Sequence, residues 1–87
     1  MAKRKETVIQ VIDGDTFLTA SRKRPVRLAN VDAPERGTKA GTAATRKLRN
    51  LIQGEKVTVD TVARDVYGRA VAKVRKGNRS INNAMKK

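Results

Sequence analysis

Apolar and polar residues alternate along most of this chain, and the alternation breaks once. Residues 7–12 (T-V-I-Q-V-I) predict a strand, and the Asp13 and Gly14 that follow form a strong hairpin-turn dipeptide. Residues 16–20 read as the return strand, residues 21–25 (S-R-K-R-P) as a charged turn, and residues 26–31 (V-R-L-A-N-V) as a third strand. Pro34 stops that strand because it has no N–H to give to a ladder, and residues 36–39 read as a loop. From Ala40 the period changes. Ala44, Leu48, Leu51 and Ile52 fall at i, i+4, i+7 and i+8, one helical stripe with Gly54 as its stop. Alternation returns over residues 56–63 and 70–74, with the tight connection D-V-Y-G-R between them. Residues 76–78 read as a turn, and Ser80 as the N-cap of a short helix over residues 81–85.

Three strands, a helix, then two strands is the element order of an OB barrel, a fold that binds oligonucleotides on one face. The expected class is mainly β with α (α+β by some schemes). It is a five-stranded OB-fold barrel with one helix between strands three and four and a short C-terminal helix. Ten valines against four isoleucines and four leucines agree with that bias toward strands. Residues 1–5 read as a basic flexible tail and residues 6–87 as a single domain, since 87 residues suffice for one core of modest size. Phe17 and Tyr67, the two aromatics, read as packing residues by residue type.

Charge changes the picture more than size does. Twenty-one Lys and Arg against eight Asp and Glu give a formal +13, a field that attracts polyanions and opposes self-association. Nucleic acid is the commonest such partner, and a monomer is expected. The chain has no His and no Cys, which excludes His-based acid–base chemistry, a Cys nucleophile, the usual zinc sites and disulfides. Any hydrolytic base is therefore a carboxylate, a Lys, a Tyr or a water activated by metal. No run reaches membrane-spanning length, so no membrane partner is expected. The basic start leads to no long apolar segment, so no secretion signal is expected. Location stays open between secretion or the cell envelope, for a mature form, and the cytoplasm.

The acids are not scattered. Five of the eight lie in three short motifs: Asp13 and Asp15 at the first turn, Asp32 and Glu35 after the third strand, and Asp65 before Tyr67, Gly68 and Arg69. Carboxylates cluster in so basic a chain only if something cationic holds them, either a hard ion such as Ca²⁺ or Mg²⁺ or an arginine network. Taken singly, each motif is equally a plain turn or strand end.

In combination, D-G-D-T (residues 13–16), R-L-x-x-V-D-x-P-E (residues 27–35) and D-x-Y-G-R (residues 65–69) make a specific pattern over nearly the whole chain. With them the sequence resembles the staphylococcal nuclease family of OB-fold, Ca²⁺-dependent phosphodiesterases acting on DNA and RNA. The resemblance implies an endonuclease that leaves 3′-phosphates, with Asp15, Asp32 and the backbone carbonyl of Ala33 holding Ca²⁺. It implies Glu35 as the carboxylate that activates water, and Arg27 and Arg69 as the pair that grips the phosphate. Asp13, Thr16 and Tyr67 are implied as supporting residues. The pattern departs from better-studied members in a short loop after Glu35 and in a chain that stops at Lys87. Members usually continue through the helix begun at Ser80 into a segment that supplies tyrosines to the nucleotide pocket. A non-catalytic nucleic-acid-binding OB module and a trimmed, inactive barrel are the alternative readings.

Overall fold

The structure, a computed structural model, describes residues 3–86. Strand β1 (Lys3–Asp13) is followed by β2 (Thr16–Thr19), β3 (Val26–Leu28), helix α1 (Lys39–Ile52), β4 (Lys56–Arg64), β5 (Ala70–Lys76), β6 (Arg79–Ser80) and helix α2 (Ile81–Met85). The first five strands hydrogen-bond in the order β3-β2-β1-β4-β5, and a parallel β3–β5 pairing closes them into an OB-like barrel. Register shifts in β1, between Val8 and Gln10 and between Val11 and Asp13, and in β4, between Thr61 and Ala63, bend the strands enough to close it.

The barrel interior is made of the alternate residues that the sequence pattern marked. Val8, Val11, Phe17, Val26, Leu28, Val57, Val59 and Val74 are buried there. Helix α1 adds Leu48 and Ile52 to the same core, with Leu51 partly covered, and α2 adds Ile81. Thr38 caps α1, its hydroxyl accepting from the Gly41 N–H at 2.9 Å. Ser80 caps α2 in the same way, from the Asn83 N–H at 3.2 Å.

Three differences from the sequence expectation exceed a shift of one or two residues. Strand β1 begins at Lys3, and residues 3–5, expected in a basic tail, pair with β4 through Lys3 and Asp60, Arg4 and Val59, and Lys5 and Thr58. Met1 and Ala2 of that expected tail lie outside the described residues. Strand β3 stops at Leu28 rather than residue 31, because Asn30 takes a left-handed conformation (φ 60°) that no strand accommodates. A sixth short strand, β6, extends the β5 edge through the Lys76–Arg79 and Arg75–Ser80 pairs.

Asn82 locks this end of the barrel. Its side-chain oxygen accepts from the Val74 N–H at 2.7 Å, and its nitrogen donates to the carbonyls of Ala29 (2.9 Å) and Ala72 (3.0 Å). Helix α2 is thereby tied to β5 and to the chain leaving β3. Asn82→Ala strands the Val74 N–H and the Ala29 carbonyl, each costing about 1–3 kcal/mol when left without a partner, while the Ala72 carbonyl keeps the Ala29 N–H at 2.8 Å. Urea unfolding is expected to shift to markedly lower midpoint with an unchanged slope.

Candidate active site

The first two acidic motifs adjoin at one rim of the barrel, where Gly14 packs on Ala33. Asp13 and Asp15 flank the turn between β1 and β2, where the Asp15 N–H donates to Asp13 Oδ1 at 3.1 Å and the Thr16 hydroxyl donates to Asp15 Oδ1 at 2.8 Å. Gly14 between them is buried against two other segments. A β-carbon there would stand 2.6 Å from Ala44 Cβ on α1 and 3.0 Å from Ala33 Cβ. Only glycine lets the turn lie this close to the segment carrying Asp32 and Ala33. Asp32, Ala33, Gly14, Ala44, Lys47 and Met85 border a cleft of about 600 Å³.

Arg27 joins the turn from β3. Its Nη2 lies 3.4 Å from Asp15 Oδ2, while Nη1 and Nη2 donate to the carbonyls of Leu28 (3.2 Å) and Val31 (3.1 Å). One guanidinium thus braces the chain that leads to Asp32 and faces the Asp15 carboxylate.

The two aspartates titrate as a pair. For Asp13, burial works to raise the carboxyl, but hydrogen bonds from the side chain and main chain of Asp15 and from Thr16, with the charge of Arg36, hold it below the ordinary range. For Asp15, burial raises the carboxyl, as do its hydrogen bond to Asp13 and the Asp13 charge, and Thr16 and Arg27 only partly offset them. The turn therefore concentrates negative charge that Arg27 does not neutralise.

Glu35 is exposed and lies just before α1. Its main chain is fixed: the carbonyl accepts from the Thr38 hydroxyl at 2.7 Å and from the Thr38 N–H at 3.4 Å. A β-carbon on Gly41 would collide with that same carbonyl. The bare helix turn at Gly41 is what seats Glu35.

Tyr67 and Arg69 stand on the connection between β4 and β5. Asp65 organises this turn, accepting from the N–H groups of Tyr67 and Arg69, both at 2.9 Å, and from Arg69 Nε at 2.6 Å. Slight burial works to raise the Asp65 carboxyl, and these donors and the Arg69 charge hold it lower than usual. The Arg69 guanidinium also lies over the Tyr67 ring, 5.3 Å from its centroid. Residue type predicted both aromatics as packing residues. Phe17 is fully buried, but Tyr67 is 76 % exposed, because it sits on a turn outside the barrel.

The structure therefore brings Asp13, Asp15, Thr16 and Arg27 into direct contact and sets Ala33 against Gly14. Arg69 is bound within its own turn. Among the described residues, no three acidic side chains converge into a cluster of metal-binding size. Sequence reading missed Gly41 and the bracing role of Arg27. Their signal is tertiary, since neither a glycine in a helix nor an arginine in a strand announces the carbonyl it meets.

The staphylococcal nuclease homologue family matches residues 25–87. The chain belongs to that family. A protein of Escherichia coli O157:H7 named "Uncharacterized endonuclease" is 39% identical over 69 residues, covering 77% of this chain and 45% of its own. A Shigella flexneri protein named "Micrococcal nuclease" is 38% identical over 69 residues, covering 77% of this chain and 40% of its own. An endonuclease-named Haemophilus influenzae protein is 35% identical over 83 residues, covering 92% of this chain and 47% of its own. The chain thus spans less than half the length of each of these relatives. The family match contains Arg27, Asp32, Ala33, Glu35, Tyr67 and Arg69, whereas Asp13, Asp15 and Thr16 precede it. Among the described residues, no helix is long and apolar enough to cross a membrane.

Proposed function

We propose that this domain is a nuclease that hydrolyses phosphodiester bonds of DNA and RNA with a bound Ca²⁺. The packing of Gly14 against Ala33 carries this reading, because it sets the Asp13 and Asp15 turn beside the segment of Asp32 and Ala33. Membership of a nuclease family supports it.

The donor set suits a hard cation. Asp15 and Asp32 offer carboxylate oxygens and Ala33 a backbone carbonyl, the ligands that Ca²⁺ prefers. Crowded negative charge at Asp13 and Asp15 is what such an ion would relieve. Bound there, Ca²⁺ supplies positive charge against the anionic phosphate and makes water more acidic. Glu35 takes the proton of the attacking water, the role left to a carboxylate in a chain without His. Arg27 and Arg69 donate paired hydrogen bonds to the phosphoryl oxygens and stabilise the charge that builds in the transition state. Water adds to phosphorus, the 5′-oxygen leaves with a proton, and a 3′-phosphate remains. Because the phosphate is the main handle, DNA and RNA both serve. A net +13 favours a monomer, and a calcium-rich setting outside the cytosol suits the activity.

Single-stranded DNA incubated with the protein is expected to shorten in calcium and to stay intact in EDTA. Intact DNA in both, with a retarded band, would leave a binding module instead.

Gly41→Ala tests the seat of the proposed base. The added methyl forces the Glu35 carbonyl or the start of α1 to move, and such overpacking costs about 1–3 kcal/mol. A displacement near 1 Å at a reacting group lowers rate by about 10²-fold. Cleavage by the still-folded variant, measured well below its melting temperature, is expected to fall by that order.

A further inference from the structure

Beyond the acidic rim, the barrel carries a second concentration of chemistry at the turn between β2 and β3. Lys23, Arg24 and Pro25 from that turn, with Arg64 and Ala70 from the facing ends of β4 and β5, line a cleft of about 270 Å³. Arg22 lines it too, but its guanidinium is committed to Glu6. No acid lines the cleft. Among the described residues, Lys23, Arg24 and Arg64 form no ion pair with a carboxylate.

Two of these cations, Arg24 and Arg64, are held against the turn that carries Tyr67 and Arg69. The Arg24 guanidinium fills the space over Gly68, its Cζ 3.2 Å from where a β-carbon would stand. Arg64 Nη1 reaches the Gly68 carbonyl at 3.5 Å. The chain thus leads from Arg69 through an exposed Tyr67 and Val66 (76 % and 92 % exposed) to three cations without acidic partners. A positively charged groove beside an aromatic face is how single-stranded nucleic acid is held without regard to sequence.

We propose that Lys23, Arg24 and Arg64 form a backbone subsite for the substrate strand, taking phosphates next to the one gripped at Arg69, with Tyr67 stacking a base between. The subsite rests on the nuclease reading for its purpose, but its binding is measurable without cleavage. Its occupant is single-stranded DNA or RNA, recognised by phosphate charge and a base face. It adds affinity for long strands and nothing for a substrate with a single phosphodiester.

The test compares three proteins in EDTA, binding a fluorescent single-stranded 12-nucleotide probe across a range of salt. They are the parent, the triple variant Lys23→Ser, Arg24→Ser, Arg64→Ser, and a charge-matched triple variant Lys56→Ser, Lys76→Ser, Arg79→Ser. The last three residues lie at the opposite end of the β4 and β5 ladder. Because Arg24→Ser also removes packing on Gly68, the double variant Lys23→Ser, Arg64→Ser is measured beside it. The subsite variants are expected to bind about tenfold more weakly. The salt slope is expected to fall by about 0.7 for each phosphate that the protein no longer neutralises. The opposite-end triple should weaken far less. Equal weakening in both triples would mean a diffuse field and overturn the subsite. With calcium, the subsite triple should lose more efficiency on the long strand than on a dinucleotide. A parent that binds as described but yields no products would sink the nuclease reading and leave the subsite standing.

Discussion

Glu35→Gln is expected to lower phosphodiester cleavage by about 10²–10⁴-fold, the usual contribution of a positioned general base. Gln has nearly the same shape and cannot take a proton from water. The substitution also spares the fold. Glu35 is exposed, and its structural contact runs through the main-chain carbonyl that accepts from Thr38, which Gln retains. Surface changes of this kind stay within about 0.5 kcal/mol, so the melting temperature should hardly move. Single-turnover cleavage in saturating calcium checks it. Equal rates in variant and parent would remove Glu35 from the reaction. Comparison with Gly41→Ala separates two contributions, since one variant removes the carboxylate in place and the other keeps it but shifts its seat.

The strands that the sequence revealed are those whose alternation is carried by valine. Val57, Val59 and Val74 bury the face that the pattern predicted, and Leu48 and Ile52 of the helical stripe are buried with them. What stayed hidden depended on partners far along the chain. Residues 26–31 alternate well enough for a full strand, yet Asn30 turns left-handed, a conformation that asparagine tolerates better than most side chains but does not require. Residues 1–5 read as a tail and the first strand as starting at residue 7, yet β1 begins at Lys3 and buries Glu6 on the same face as Val8. The acidic motifs were legible as motifs, and the structure adds where they lie. The turn of Asp13 and Asp15 touches Ala33 only because Gly14 and Ala44 are small enough to let α1 close over it. That Arg69 would be bound by Asp65 in its own turn is legible in hindsight from their i, i+4 spacing, whereas Arg24 resting on Gly68 joins segments that no spacing connects.

Arg22→Met is expected to destabilise the fold by about 3–5 kcal/mol at neutral pH, the range for removing one partner of a buried ion pair. Glu6 is 3 % exposed at the barrel wall. Arg22 Nε donates to Oε1 (2.8 Å) and Oε2 (2.9 Å), Nη2 lies 2.8 Å from Oε2, and the hydroxyls of Thr19 and Ser21 donate to Oε1 at 2.8 and 2.9 Å. Burial works to raise the Glu6 carboxyl, but the hydrogen bonds from Arg22, Thr19 and Ser21 and the Arg22 charge outweigh it and hold the carboxyl low. A carboxyl lowered on folding contributes stability above its unfolded pKa and loses it as pH falls through the folded value. The parent should therefore weaken in acid. Without Arg22 its hydrogen bonds and charge are lost and the folded carboxyl moves up, so the variant has less stability to lose in acid. The variant's deficit should be largest at neutral pH and shrink as pH falls through the parent's folded value. Urea unfolding at several pH values between about 2.5 and 7 reads both slopes, and a deficit that is constant with pH would show that the loss is packing alone. Adding Glu6→Leu removes the stranded carboxylate, and the double variant should recover much of the stability. Since a domain of this size has on the order of 5–15 kcal/mol in total, this one pair decides whether the barrel that carries the acidic rim stays closed.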